Sequence, residues 1–366
     1  MKWQWKLGRF AGIDVYVHAT FLLLIGWVGY SHWLENRQWG EVLSGILFII
    51  ALFACVVLHE YGHALTARRY GIKTRDITLY PIGGVARLER MPDKPVEELW
   101  VALRGPAVKV VIAVLLFAYL SLTNGLVPLN QLTIASGSFL ARLMTVNISL
   151  VLFNLIPAFP MDGGRVLRAI LAMNMDYVRA TQVAANVGQG LALLFGFIGL
   201  FANPFLLFIA FFVWIGASQE ASMVQMRNSI GGIPVTRAMQ TKFDTLSPSD
   251  NLARVANLIL AGAQQDFPVA EDGRVIGVLT RDDFIKALSQ NGQNAPVTRV
   301  MRRDLPTVDS HDMVETAVMR LQESGSKTLP VMHLGQLVGL ITSENITEFL
   351  MIRSALKAAG NIPISA

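Results

Sequence analysis

The sequence predicts a polytopic α-helical membrane domain of about six transmembrane helices, followed by a smaller soluble α/β unit. Three observations predict it. Long apolar runs are confined to residues 1–220, the connections between them alternate between basic and charge-poor, and the remainder repeats itself at an offset of 62 residues. Of 366 residues, 53% are apolar and only 16% charged, against about 25% charged in soluble domains. Mean hydropathy is +0.46.

The apolar runs cover residues 19–34, 42–66, 99–122, 139–157, 187–202 and 204–217. Spanning takes about 20 residues, so the first, fifth and sixth are short. Only Ala202-Asn203-Pro204 separates the last two, which read as a tight helical hairpin. Lys2, Lys6 and Arg9 precede the first run. Arg68, Arg69, Lys73, Arg75, Arg87, Arg90 and Lys94 follow the second, and Arg165, Arg168 and Arg179 follow the fourth. Residues 35–41 hold only Arg37 beside two glutamates, and residues 123–138 hold no Lys or Arg. The positive-inside rule then gives six spans with both termini in the cytoplasm. The net charge of +5 reads as basic flanks facing anionic lipid, so a lipid bilayer and no nucleic acid is the expected partner. The single cysteine, Cys55, excludes an intrachain disulfide. The start of the chain shows no cleavable signal pattern.

The second run ends in His59-Glu60-Tyr61-Gly62-His63. On a helix, positions i and i+4 share a face, so the two imidazoles can hold one metal ion, with Glu60 beside them as general base and acid. Zinc lowers the pKa of a bound water to about 7. A solvated polar helix face is the alternative, but no residue from Val42 through Leu58 is charged. Unpartnered ionisable groups closing such a run cost several kcal/mol. A catalytic zinc takes three protein ligands and one open position. Asp162, in Pro160-Met161-Asp162-Gly163-Gly164 after the fourth run, is the candidate third ligand. By the charge count it reaches the same membrane face as His59 and His63. Taken alone, Asp162 reads equally well as the N-cap of a following helix. Cys55, one turn before His59, reads as a small packed residue, since a fourth protein ligand would close the open position.

His59-Glu60-Tyr61-Gly62-His63, with Asn154-Leu155-Ile156-Pro157 and Asp162-Gly163-Gly164 about 100 residues later, resembles the site-2 protease family of intramembrane metalloproteases. The resemblance covers residues 10–220. It implies that His59, His63 and Asp162 bind one catalytic Zn2+, that Glu60 is catalytic, and that Asn154 holds substrate backbone or helps stabilise the oxyanion. Pro81-Ile82-Gly83-Gly84-Val85-Ala86-Arg87-Leu88 matches the family's short membrane-associated β element, so Gly83, Gly84 and Val85 are candidate substrate-binding residues. A substrate helix satisfies its own backbone and must unwind before cleavage, and a strand edge can pair with the extended chain. Gly105-Pro106-Ala107-Val108-Lys109 departs from the family's G-P-x-x-N, with Lys109 at the Asn position.

Pro234-Val235-Thr236-Arg237-Ala238-Met239 recurs as Pro296-Val297-Thr298-Arg299-Val300-Met301, and Gly277–Phe284 recurs as Gly339–Ile346 at the same offset. A fixed offset at two places marks one duplicated unit. Short β-type runs (267–270, 275–279) alternate with helical stretches (251–261, 283–288), so each unit is mixed α/β. The repeat resembles a tandem pair of CBS domains. That implies adenine nucleotide (ATP, ADP or AMP) near Thr280, Asp283, Thr342 and Asn345, and a homodimer through the pair. Turn capping is the alternative role for these four residues. The expected organisation is a membrane domain at 1–220, a linker at 221–231, CBS units at 232–290 and 291–354, and a tail at 355–366.

The expected function is peptide-bond hydrolysis in a transmembrane substrate protein, regulated by nucleotide, in a prokaryotic plasma membrane. A transporter or channel with a CBS regulatory tail is the alternative, but needs no H-E-x-x-H. A pseudoprotease is the other, suggested by Lys109.

Overall fold

The computed structural model describes residues 3–92, 94–123, 137–262, 264–304 and 306–358. Residues 124–136 of the charge-poor connection, and the expected tail from 359 onward, lie outside the described residues. The chain divides into two compact units at Val224/Gln225.

The first unit runs β1 (Gln4–Phe10), β2 (Ile13–His18), α1 (Ala19–Asn36), α2 (Trp39–Arg69), β3 (Thr74–Tyr80), β4 (Gly83–Leu88), α3 (Pro95–Leu122), α4 (Phe139–Asn154), α5 (Asp162–Ala172), α6 (Tyr177–Phe201) and α7 (Phe205–Ile230). All six apolar runs form helices, the fourth ending at Asn154 before residues 155–157 turn. Among the described residues α2, α3, α6 and α7 are long and apolar enough to cross a membrane; α1 and α4 are shorter apolar helices. The fifth and sixth runs, expected to be short, are 25 and 26 residues long. Helix α6 starts earlier than its hydropathy suggests because Asp176 caps it, accepting from the Arg179 amide at 3.0 Å. Its polar first turns hide it from an apolar window.

Helices α6 and α7 form the expected hairpin. Ala180, Ala184, Gly188 and Ala192 repeat every four residues along one buried stripe of α6, and Val213 and Ala217 of α7 join the same cores. Small residues let apolar helices approach closely where lipid offers no hydrophobic drive. The outer faces are apolar instead: Phe201 is 79% exposed and Phe208 72%. Such a surface suits hydrocarbon rather than water.

The four strands form one sheet in the order β1-β2-β3-β4, with β2 and β3 parallel and the other pairs antiparallel. The Gly83–Leu88 element is legible in the sequence, whereas β1, β2 and β3 are not. Strand β4 is an edge strand, and the turn before it carries Ile82 at 89% exposure.

The sequence pattern marks Arg168 as part of a basic cytoplasmic flank. The fold places it in the interior instead, fully buried. Its guanidinium donates through Nε and Nη2 to Glu98 Oε1 on α3 and through Nη1 to Glu220 Oε1 on α7. It also lies 5.0 Å from the ring centres of Phe159 and Tyr177. Buried charge persists only when paired and hydrogen-bonded, and here one arginine ties α5 to two spanning helices.

The second unit contains α8 (Leu252–Ala261), β5 (Phe267–Glu271), β6 (Arg274–Leu279), α9 (Arg281–Asn291), β7 (Val308–Asp309), α10 (Val314–Ser324), β8 (Thr328–His333), β9 (Gln336–Thr342) and α11 (Ser343–Ala358). Residues 221–230, expected as linker, are instead the last turns of α7. Their polar side chains are compatible with helix, and the turn comes only at Gly231-Gly232. The two repeats exchange their leading segments: Gln240 bridges Leu340 of β9, and Arg302 bridges Val278 of β6. Val235 and Ala238 therefore lie in the core of the second repeat, and Val297 and Met301 in that of the first. Gly277 and Gly339 permit the crossings, since a Cβ there would meet Met301 Sδ and Met239 Sδ, each at 2.7 Å.

Candidate metal centre

Helix α2 presents His59 and His63 one turn apart, with their Nε2 atoms 3.2 Å from each other. Helix α5 begins at Asp162, with Met161 rather than Asp162 as its N-cap. An acidic residue in the first turn suits the positive end of the helix dipole. Asp162 Oδ2 lies 3.2 Å from His59 Nε2, and Oδ1 lies 3.3 Å from His63 Nε2. All three residues are buried.

These donors fit zinc on two grounds. His63 Nδ1 lies 2.7 Å from the Val101 carbonyl of α3, so Nδ1 carries the proton and Nε2 presents its lone pair. That lone pair faces a second imidazole nitrogen and a carboxylate, and acceptors converge in this way around a cation. Donors of a tetrahedral zinc site stand roughly 3.3 Å apart, given Zn–N distances of about 2.0–2.1 Å. The imidazole–imidazole separation is close to that value, and each imidazole nitrogen meets a different oxygen of Asp162 at a similar distance.

Glu60 sits between the two histidines in sequence and is partly buried. The Ala86 amide of β4 donates to its Oε2 at 3.1 Å. A Cβ on Gly84 would stand 2.9 Å from Glu60 Cγ and from Val56 Cγ1, so the strand runs directly over the carboxylate. Ala86 turns its amide away from β3, and strand alternation turns the backbone of Gly84 the same way. Gly83 and Val85 pair with Tyr80 and Thr78 of β3.

Asn154 closes α4, partly buried. Its side chain makes no hydrogen bond among the described residues. Lys109 is 3% exposed on α3. It has not snorkelled to water, as a lysine in an apolar run is expected to do. Cys55 packs with Phe48 and Leu143.

Gly105 was passed over in the sequence. A Cβ there would collide with His63 Nε2 and lie 2.7 Å from His59 Cε1. It sits one turn before Lys109 in the G-P motif, which is the signal that could have flagged it. The Val101 carbonyl and Ala86 amide are backbone groups, which no residue-type search detects.

In the second unit, Thr280 caps α9. It accepts from the Asp283 amide at 3.2 Å and donates to Asp283 Oδ2 at 2.6 Å. Arg302 grips the same carboxylate through Nε and Nη2, holding Asp283 below the usual carboxylate range. Thr280 also lines a cleft with Asp266, Asp282, Arg302, Gly325, Ser326 and Lys327. Thr342 and Asn345 close the equivalent cap, Oγ1 to Oδ1 at 2.9 Å, and are not among the residues lining that cleft.

The model for peptidase family M50 matches residues 47–135 and 130–197, and the CBS domain model matches 235–290 and 297–352. The zinc metalloprotease MJ0392 of Methanocaldococcus jannaschii is 32% identical over 96% of this chain and 97% of its own. Sll0528 of Synechocystis, which also carries a zinc metalloprotease name, is 27% identical over 96% of each chain. The solved site-2 protease from Methanocaldococcus jannaschii is 37% identical, covering 60% of this chain and 95% of its own, with a TM-score of 0.44. The chain belongs to peptidase family M50, the site-2 protease type of zinc metalloprotease, and carries a pair of CBS domains.

Proposed function

We propose that the chain hydrolyses peptide bonds in or near transmembrane segments of other membrane proteins, and that nucleotide at its CBS pair regulates the reaction. The convergence of His59, His63 and Asp162 at 3.2–3.3 Å is the observation that carries this reading. These three residues would hold one catalytic zinc, which supplies Lewis-acid polarisation and a nucleophilic water at neutral pH.

The remaining roles belong to the protein. Val101 fixes the His63 tautomer. Glu60 takes the proton released on attack and passes it to the departing amine. The Ala86 amide holds that carboxylate in place before substrate arrives. The outer edge of β4, presented by Gly84 between Gly83 and Val85, pairs with an unwound substrate strand, and Asn154 holds substrate backbone or helps stabilise the oxyanion. The apolar surround excludes water from competing hydrogen bonds, which strengthens each of these contacts.

The regulatory half of the proposal rests on the Thr280 cleft, whose lining cations are Arg302, paired with Asp283, and Lys327, paired with Asp282. Adenine nucleotide bound there, in a CBS-mediated homodimer, would change the cleavage rate. The membrane domain is read as lying in a plasma membrane with both termini and the CBS pair cytoplasmic, from the basic connections. The test is cleavage of a membrane-spanning reporter in proteoliposomes across an ATP, ADP and AMP titration. A nucleotide-dependent rate supports regulation, and an unchanged rate despite measured binding removes it. A transporter would keep its flux after Glu60→Gln, whereas the protease loses cleavage.

A further inference from the structure

The CBS pair contains two of the chain's six histidines, His311 and His333, and the fold brings them together. Their rings lie 5.1 Å apart. His333 Nδ1 is 2.9 Å from Ser310 Oγ, and His311 Nδ1 is 3.3 Å from the same hydroxyl. Asp309 Oδ1 stands 3.0 Å from His311 Nδ1. One donor atom from each of Asp309, His311 and His333 can be chosen so that all three lie within 4.8 Å of one another.

The duplicated unit provides an internal control. The positions 62 residues earlier are Ser247, Ser249 and Glu271. There the same turn closes through Ser247 Oγ to Ser249 Oγ at 3.0 Å. Both turns share their backbone lock: the Ser247 amide donates to Asp250 Oδ2 at 2.8 Å, and the Asp309 amide to Asp312 Oδ2 at 3.1 Å. The fold therefore makes this turn without histidine, and the imidazoles of the second repeat answer to something else.

We propose that Asp309, His311 and His333 form a second metal site, remote in sequence from the catalytic ligands, which takes a borderline divalent cation such as Zn2+, Ni2+ or Cu2+. Two imidazoles and one carboxylate are the donor set those ions prefer, and Mg2+ or Ca2+ would select oxygen alone. Ser310 is 5% exposed, so its hydroxyl is fixed and can orient the His333 ring as an outer-shell partner. His333 ends β8, where Leu334-Gly335 turns the chain into β9; Asp309 ends β7, and His311 lies on the loop from β7 to α10. A bound cation would clip this hairpin to that loop and fix one edge of the second repeat.

The test counts zinc in the full chain, purified in detergent, stripped by chelator and reloaded. Wild type should hold about two equivalents, and His311→Gln/His333→Gln about one. Asp309→Asn should weaken the second equivalent at least tenfold in competition with a chromophoric chelator. Should the double variant fail to fold, His311→Gln alone carries the test, since that side chain is 77% exposed. Retention of the second equivalent in these variants overturns the assignment, as does its loss in His18→Gln/His32→Gln instead.

Discussion

The Ala86 amide donates to Glu60 Oε2 across 3.1 Å, so the edge strand β4 holds the proposed general base. The element proposed to seat substrate and the group proposed to move the proton are thereby one mechanical unit. A shift of the strand moves the carboxylate.

Gly84→Ala tests that unit. Its Cβ would stand 2.9 Å from Glu60 Cγ and must displace the carboxylate or the strand. Misplacement by about 1 Å costs on the order of 10²-fold in rate. Cleavage in proteoliposomes should fall by roughly that factor, with zinc content unchanged.

Gly105→Ala should fail differently. The added methyl would collide with His63 Nε2, the proposed ligand atom itself. Zinc content should drop along with activity, and metal analysis of the purified chain separates this outcome from that of Gly84→Ala.

Breaking the interior ion pair should destabilise the membrane unit. Arg168 and Glu98 are both nearly inaccessible, at 0% and 2% side-chain exposure. Removing one partner of a buried pair costs about 3–5 kcal/mol. Thermal unfolding in detergent should show a large loss for Arg168→Met and a smaller one for Arg168→Lys, which keeps the charge but loses the fork.

The Asp283–Arg302 pair gives a pH-dependent prediction. Hydrogen bonds from Arg302, then Thr280, hold Asp283 below its usual range. Its stabilisation is therefore present above the ordinary aspartate pKa of about 3.9 and disappears as pH falls through the lower folded value. Both side chains are partly solvated, so the pair is worth roughly 0.2–1 kcal/mol. Asp283→Asn should unfold slightly more easily than wild type at neutral pH, and urea titrations should converge in acid.

Much of this was legible in the sequence because apolar runs, a spaced motif and a repeat are local signals. His59 and His63 declare their shared face through their i, i+4 spacing, with Glu60 next to the first of them. Asp162 needed the resemblance, since an aspartate before two glycines also serves as a cap. Arg168 was misread because nothing in its neighbourhood announces Glu98, 70 residues before it, or Glu220, 52 after it. The exchange of leading segments between the repeats was likewise invisible, since it joins residues 100 apart at Gln240 and Leu340. The parallel pairing of β2 with β3 joins strands separated by the two helices α1 and α2, so no local pattern announces the sheet that β1 and β2 extend.

The most direct measurement is cleavage of a membrane-spanning reporter by the chain in liposomes, with zinc counted in the same samples, for wild type, Glu60→Gln and Asp162→Ala. Wild type should cleave. Glu60→Gln should keep the catalytic zinc and lose at least about 10²–10⁴-fold in rate, and Asp162→Ala should lose both metal and cleavage. Wild-type cleavage by Glu60→Gln, or a full catalytic zinc complement in Asp162→Ala, would contradict a hydrolytic centre built on these residues.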